Sequence, residues 1–171
     1  MGLITPSDFP NLRELYTAQL RYLLSAENQI VKGLPDMIEH ADDARLKQAF
    51  QTHLQETEGH VSRLENMLGD LIGSPEDKKD PILLALVGSG ENITKETEVG
   101  PVRDAGLLAT AQKIEHYEIA SYGSAREWAS QLGFAEHASI LQKTLDEEKH
   151  ADHLLTQIAQ QTNASASAVA A

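Results

Sequence analysis

The sequence predicts an all-α protein: a four-helix bundle with one long crossover that contains a short fifth helix. Apolar residues recur at alternating steps of three and four along four long stretches, which is the pattern of packed helices. There are only six prolines, and no useful length of chain alternates apolar and polar residues as a strand would. We expect residues 1–160 to form the bundle and residues 161–171, rich in Ala and Ser, to be a disordered tail.

Charge and composition exclude several functions. A net charge of −12 and an isoelectric point near 4.9 argue against nucleic acid and anionic membranes as partners. Because the chain has no cysteine, any metal must be held by oxygen and nitrogen ligands. The N-terminus lacks a signal-peptide pattern, and no apolar run approaches the thickness of a bilayer. We therefore expect a soluble, cytoplasmic protein.

The first helix should begin at a cap formed by Ser7 or Asp8 and end near residue 40. Its inward stripe is apolar except for Glu27. Gly33 and Pro35 predict a kink or a brief break close to its C-terminal end.

The second helix should follow a short turn at residues 41–43, where an Asp is available as its cap, and stop at Gly73. Its inward stripe carries three ionisable side chains, His53, Glu56 and His60. At 100° per residue, the two histidines lie about 60° and 40° from Glu56, so all three can face one point in the bundle interior.

Residues 74–101 are rich in Gly, Pro and charge, and they form the crossover. An apolar patch at residues 81–87 predicts the short fifth helix, packed on the outside. The third long helix should run from about residue 102 to 132, where Gly133 stops it.

The third helix places Glu115 and Glu118 on its inward stripe, together with Tyr122. An ionised carboxylate is rarely buried without a balancing cation or hydrogen-bond donors. The inward stripes contain almost no Lys or Arg that would pair with these groups. The two carboxylates therefore indicate a bound cation.

The fourth helix, from about residue 135 to 160, has two adjacent stripes, either of which could face inward. One contains Glu147 and the other contains Glu148 and Asp152. An internal comparison favours the first stripe, because residues 53–57 align with residues 144–148 and pair Glu56 with Glu147. The chain then resembles a duplicated helical hairpin.

Two helices with a Glu and two helices with a Glu near a His match the carboxylate-bridged two-metal bundles. The segments that carry the likeness are Ser25-Ala26-Glu27, residues 53–57 (HLQET), residues 115–123 (EHYEIASYG) and residues 145–149 (LDEEK). With these segments the sequence resembles the ferritin-like superfamily, and its YciE/YciF stress-response branch in particular. The resemblance covers about residues 5–159 and implies a ferritin-like four-helix bundle.

The resemblance also implies metal ligands. The terminal carboxylates of ferritin-like sites fall on Glu27 and Glu115, and the bridging carboxylates fall on Glu56 and Glu147. An additional ligand of the third helix falls on Glu118.

The histidines fit this pattern less well. Ferritin-like sites place a His three residues after each bridging Glu, and His150 satisfies this in the fourth helix. In the second helix Gly59 stands at that position, His60 comes one residue late and His53 precedes Glu56 by three residues. The second half-site therefore has a shifted His or none. The candidate ligands are Glu27, Glu56, His60, Glu115, Glu118, Glu147 and His150.

Carboxylates and imidazoles without sulfur suit iron and manganese. We expect two iron ions, with manganese as the alternative, and dioxygen or peroxide as the reaction partner. Tyr122 is the candidate catalytic residue, either bonding a ligand carboxylate or donating one electron; a core tyrosine is the alternative. The function is then a di-iron ferroxidase or peroxidase-like oxidoreductase of a stress response. The alternatives are metal sequestration and a structural stress protein, and we expect a homodimer in each case.

Overall fold

A computed structural model describes residues 9–169, which form five helices. They are α1 (Leu12–His40), α2 (Ala44–Ile72), α3 (Pro81–Glu96), α4 (Pro101–Gln131) and α5 (Ala135–Val169). No strand occurs in this range. The predicted all-α class with a helix in the crossover is confirmed. No helix within residues 9–169 is both long and apolar enough to cross a membrane.

The start of α1 differs from the sequence expectation, whereas its end at His40 agrees with it. The side chain of Asn11 caps the helix by accepting a hydrogen bond from the Glu14 N–H at 3.0 Å. The predicted caps, Ser7 and Asp8, lie outside the described residues. The helix continues without interruption through Pro35 to its last residue, so the expected break near Gly33 is absent from α1.

Two glycines end helices as predicted. Gly73 and Gly133 both have φ of +79°, a left-handed conformation that glycine adopts without a steric penalty. Asp43 caps α2 by accepting from the Arg45 N–H at 2.8 Å, as the sequence indicated.

Two apolar clusters fix the direction of the helices. One contains the end of α1, the starts of α2 and α4 and the end of α5, represented by Leu34, Phe50, Leu107 and Ile158. The other contains the opposite ends of the same helices, represented by Leu20, Leu64, Ala129 and Leu141. Helices α1 and α5 therefore run one way, and α2 and α4 the other. The four helices form a bundle in which α1 contacts α2 and α4, and α5 contacts α4 and α2.

Helix α3 lies on the outside of the bundle against α1 and α4 and is longer than the sequence indicated. Asp80 caps it through the N–H groups of its first turn. The hydroxyl of Tyr117 on α4 also donates to this carboxylate and ties the crossover to the bundle. A Cβ on Gly106 would lie 2.6 Å from Ile93 Cγ2, so glycine allows α3 to approach α4 this closely.

Helix α5 extends beyond the predicted end. Residues 161–169, expected as the start of a disordered tail, continue the helix, and Thr162 is buried. Thr162 donates to the Ile158 carbonyl at 3.2 Å. Ala has the highest helix propensity, so an Ala-rich segment can extend a helix that packing has already nucleated. Residues 170–171 lie outside the described range.

Candidate metal centre

A layer of buried ionisable side chains separates the two apolar clusters. The four bundle helices each contribute to it. The members are Glu27 from α1, His53 and His60 from α2, Glu115 and Glu118 from α4, and Glu148 from α5. Each is buried because it lies on the same stripe of its helix as the apolar residues that form the core above and below it.

The layer divides into two groups that share one carboxylate. His53, Glu115, Glu118 and Glu148 each offer one ligand atom, and these atoms lie within 4.8 Å of one another. Glu27, His60 and Glu148 meet the same condition. Glu148 is thus placed to contact two ions at once.

Many atoms of this layer lack a hydrogen-bond partner among the described residues. They are Glu27 Oε2, His53 Nδ1, His60 Nδ1, Glu115 Oε2, and both side-chain oxygens of Glu118 and of Glu148. Buried polar atoms are nearly always paired, because leaving one unsatisfied costs about 1–3 kcal/mol. A cation would satisfy those atoms that converge within the layer, whereas His53 Nδ1 faces Glu56 and the Nε2 of the same ring faces Glu115.

Burial shifts the pKa of the α4 carboxyls upward. The loss of hydration raises the pKa of Glu118 well above its usual value, and the neighbouring Glu27 and Glu148 add to the shift. Burial likewise raises the pKa of Glu115, although the charge of His53 partly opposes it. Without a metal ion, burial and the neighbouring carboxylates therefore favour the protonated form of these two carboxyls.

The two imidazoles are held in a strongly negative environment. Burial disfavours the charged form of His60, but Glu148 and Glu27 outweigh this effect and raise its pKa to about 11. Its Nδ1 lies 3.0 Å from Glu148 Oε1, without the alignment of a hydrogen bond. For His53 the same balance, with Glu115 as the main opposing charge, raises the pKa to about 9.

Partly exposed carboxylates lie behind each imidazole. Glu147 Oε2 is 3.0 Å from His60 Nε2, on the side of the ring away from the layer. Arg63 binds both oxygens of Glu147 and, despite the opposing effect of burial, lowers the pKa of that carboxyl. Glu56 Oε2 lies 3.9 Å from His53 Nδ1. Such carboxylates orient a histidine and increase its basicity as a metal ligand.

Tyr122 is fully buried on α4 and donates a hydrogen bond to Glu27 Oε1. Burial, together with the adjacent Glu27, raises the pKa of the phenol, so the hydroxyl stays protonated. It therefore fixes one oxygen of a candidate ligand. Its assignment as a catalytic residue stays a prediction.

The structure brings together some of the predicted ligands and separates others. Glu27, His60, Glu115 and Glu118 lie in the buried layer. The side chains of Glu56 and Glu147 are 32% and 24% exposed and sit behind the histidines, and His150 is exposed on α5. The prediction that these three side chains lie in the bundle interior was therefore wrong.

Two residues of the layer, Glu148 and His53, were not among the predicted ligands. Glu148 takes the place expected for Glu147 because α5 packs with the stripe of Leu141 and Leu145 facing inward. His53 enters with His60 because the inward stripe of α2 passes through Thr57 rather than Glu56. The sequence did contain a signal for Glu148, because this residue lies on the second of the two stripes that could face inward on α5.

The donor set fits a pair of metal ions. Four carboxylates and two imidazoles, without sulfur, suit iron and manganese. It differs from the expected ferritin-like arrangement because both histidines come from α2 and no carboxylate from that helix enters the layer. Thr57 occupies the inward position of α2, and its hydroxyl donates to the His53 carbonyl at 2.7 Å.

Sequence comparison identifies relatives of the whole chain. A family model described as a domain of unknown function, DUF892, matches residues 11–168. Protein YciF of Escherichia coli strain K12 is 35% identical over 149 residues, covering 86% of this chain and 90% of that protein.

Comparison with solved structures identifies proteins of similar fold. The crystal structure of the E. coli stress protein YciF matches with a TM-score of 0.86 at 34% identity, over 90% of this chain and 98% of that chain. A ferritin-like, diiron-carboxylate protein from Bacillus anthracis str. Ames matches with a TM-score of 0.69 at 17% identity, over 88% of this chain and 99% of that chain, and shows likeness of fold alone. The expected ferritin-like fold and YciE/YciF resemblance are confirmed. The chain belongs to the DUF892 family.

Proposed function

We propose that this protein binds two metal ions, iron in preference to manganese, and uses them to oxidise Fe(II) with dioxygen or peroxide as part of a stress response. One observation carries the proposal: four buried carboxylates and two buried imidazoles converge with most of their inward atoms unpaired, and Glu148 belongs to both groups. The relationship to the E. coli stress protein YciF, and the likeness of fold to a ferritin-like, diiron-carboxylate protein, support the same proposal.

The residues around the layer have distinct roles in this proposal. Glu115, Glu118 and His53 would hold one ion, Glu27 and His60 the other, and Glu148 both. Iron bound there supplies electrons to dioxygen or peroxide. Apolar residues of the two clusters flank the layer on both sides.

Neighbouring groups would hold the ligands in place. Arg63 and Glu147 fix the ring of His60, and the Tyr122 hydroxyl fixes one oxygen of Glu27. Ligands positioned in this way need little rearrangement when an ion binds.

Metal sequestration without turnover is the second candidate. Thr57 favours this candidate, because it occupies the inward position of α2 where a second shared carboxylate was expected. The site has one carboxylate that belongs to both groups, Glu148, whereas the ferritin-like pattern has two. Each of the two groups would still hold an ion through its remaining ligands, while a single shared carboxylate would link the two ions less closely for a joint redox reaction. A structural stress protein without metal is the third.

Metal content and oxygen consumption separate these candidates. Protein purified without a metal-chelating tag should contain about two ions per chain, the number held by carboxylate-bridged bundles. After anaerobic loading with Fe(II), exposure to dioxygen or peroxide should oxidise the iron faster than the same iron in buffer. Bound iron that oxidises no faster would support sequestration, and failure to bind either iron or manganese would refute both metal functions.

A homodimer and a cytoplasmic location stay predictions. Exposed apolar side chains on α3 and at the start of α4, Ile82, Leu84 and Val102, offer a surface for self-association. Light scattering after size exclusion would measure the oligomeric state directly.

A further inference from the structure

One half of the bundle contains a cavity of about 540 Å³. It lies in the half that holds the end of α1 and the start of α2, and all five helices contribute to its wall. Its apolar walls include Leu34, Met37, Phe50, Val87, Ile114 and Leu155. Its volume is within the range of about 300–1,000 Å³ that is usual for small-molecule sites.

Small side chains create this space. Ala49, Ala111 and Ala151 line the cavity. The core of the other half also contains two alanines, Ala125 and Ala129, but includes the large side chains of Tyr16 and Tyr122 among leucines. Protein interiors are normally packed without voids of this size, because each void forfeits contacts and destabilises the fold. The difference between the halves indicates that the space is kept for an occupant.

The cavity reaches the buried polar layer at one end. His53 and Glu115 form part of its wall. The side chain of His53 is nine-tenths buried, and its Nδ1 has no hydrogen-bond partner within residues 9–169. At 3.9 Å, Glu56 is too far from this nitrogen for a hydrogen bond. An oxygen atom of a molecule in the cavity would find a donor there.

The charged side chains at the opposite, exposed end of the cavity do not favour a charged ligand of either sign. The exposed rim contains Lys32 and Lys95 as well as Asp36 and Glu91. Lys95 lies 3.4 Å from Glu91. The two signs balance, and the walls between the rim and the polar layer are apolar.

We propose that this cavity binds an apolar, chain-like small molecule that carries one uncharged polar group, such as a hydroxyl or carbonyl, directed toward His53. The apolar walls hold the chain, and the unpaired Nδ1 donates to the polar group. A charged head at this depth would lose its hydration beside a cluster that already contains several ionisable groups. The binding site goes beyond the metal function and does not depend on it.

Fluorescence titration of the full-length, chelator-treated protein with the neutral probe N-phenyl-1-naphthylamine tests the proposal. Binding should saturate at one probe per chain, and 1-decanol should displace it. Decanoate and decyltrimethylammonium should compete at least about tenfold less well, because each must bury a charge. Metal-free protein is used so that the outcome is independent of the proposed metal chemistry.

Cavity-filling variants locate the site. Ala111→Leu and Ala151→Leu each place added volume in the cavity and should weaken probe binding by at least about tenfold. Ala85→Leu makes the same chemical change at an exposed position of α3 and should leave binding unchanged. Circular dichroism confirms folding, and if one filled variant fails to fold, the other decides the result.

Several results would overturn the proposal: no saturable binding to the wild type, equal binding by folded cavity-filled variants, or tighter competition by either charged chain than by 1-decanol. Metal content, measured on protein of the same preparation before the chelator treatment, reports separately on the proposed metal function.

Discussion

Replacing Glu148 and Glu147 by Gln should have different effects, although the residues are adjacent in sequence. Glu148 is fully buried and belongs to both ligand groups, whereas Glu147 contacts the layer only through His60. Glu148→Gln removes a charged ligand from both ions and should reduce the metal content from two ions per chain to less than one. Its oxygens make no hydrogen bond within the described part of the chain, so the metal-free variant should still fold.

The effect of Glu147→Gln can be given a magnitude. Its carboxylate lies 3.0 Å from His60 Nε2, and only the group of Glu27, His60 and Glu148 contains that imidazole. Loss of a carboxylate behind a metal-binding histidine typically costs about 10–100-fold in affinity, or about 1.4–2.8 kcal/mol. One ion should therefore bind more weakly while the other keeps its wild-type affinity.

Competition with a metal chelator measures both affinities, with Mn(II) as an ion that does not oxidise under these conditions. Glu58→Gln, an exposed change of the same charge on α2, is the matched control and should bind as the wild type does. If Glu147→Gln releases both ions while Glu148→Gln retains both, the inward face of α5 has been assigned incorrectly.

Three further predictions concern stability. Anaerobic Fe(II) or Mn(II) should raise the melting temperature, because an ion that binds only the folded state stabilises it; calorimetry that shows no shift at saturating concentrations of either ion would argue against a metal site. Tyr122→Phe should lower the free energy of unfolding of the metal-free protein by about 1–3 kcal/mol, since it removes the donor to buried Glu27, and urea denaturation will measure the change. Burial holds the pKa of His137 below 6.5, so the unfolded state binds the proton more readily and stability falls as the pH drops below 6.5. His137→Gln should flatten this part of the stability profile, and an unchanged slope would exclude His137 as its source.

Much of the fold could be predicted from the sequence because its signals are local. Helical periodicity located four long helices, and Asp43, Gly73 and Gly133 marked helix ends by backbone chemistry that depends on a few neighbouring residues. The inward position of Glu27 could likewise be predicted, because α1 has a single clear stripe whose only carboxylate is this residue.

The internal comparison placed the inward positions of α2 and α5 one residue too early. The same offset that pairs Glu56 with Glu147 also pairs Thr57 with Glu148, and the structure buries the second pair. One residue rotates a helix face by about 100°, so this difference decides which carboxylate reaches the centre. On α5 two adjacent stripes were both apolar enough to be buried.

The amino-acid sequence by itself determined the all-α class, most helix ends, and three of the four buried carboxylates, Glu27, Glu115 and Glu118. Tertiary packing decided the rotation of α2 and α5, and with it the exchange of Glu147 for Glu148 and the entry of His53 into the layer. Tertiary packing also determined the cavity, because its wall is formed by residues of different helices, among them Ala49, Ala111 and Ala151. Periodicity describes each helix separately, whereas its rotation about its axis is fixed only by the side chains of the helices packed against it.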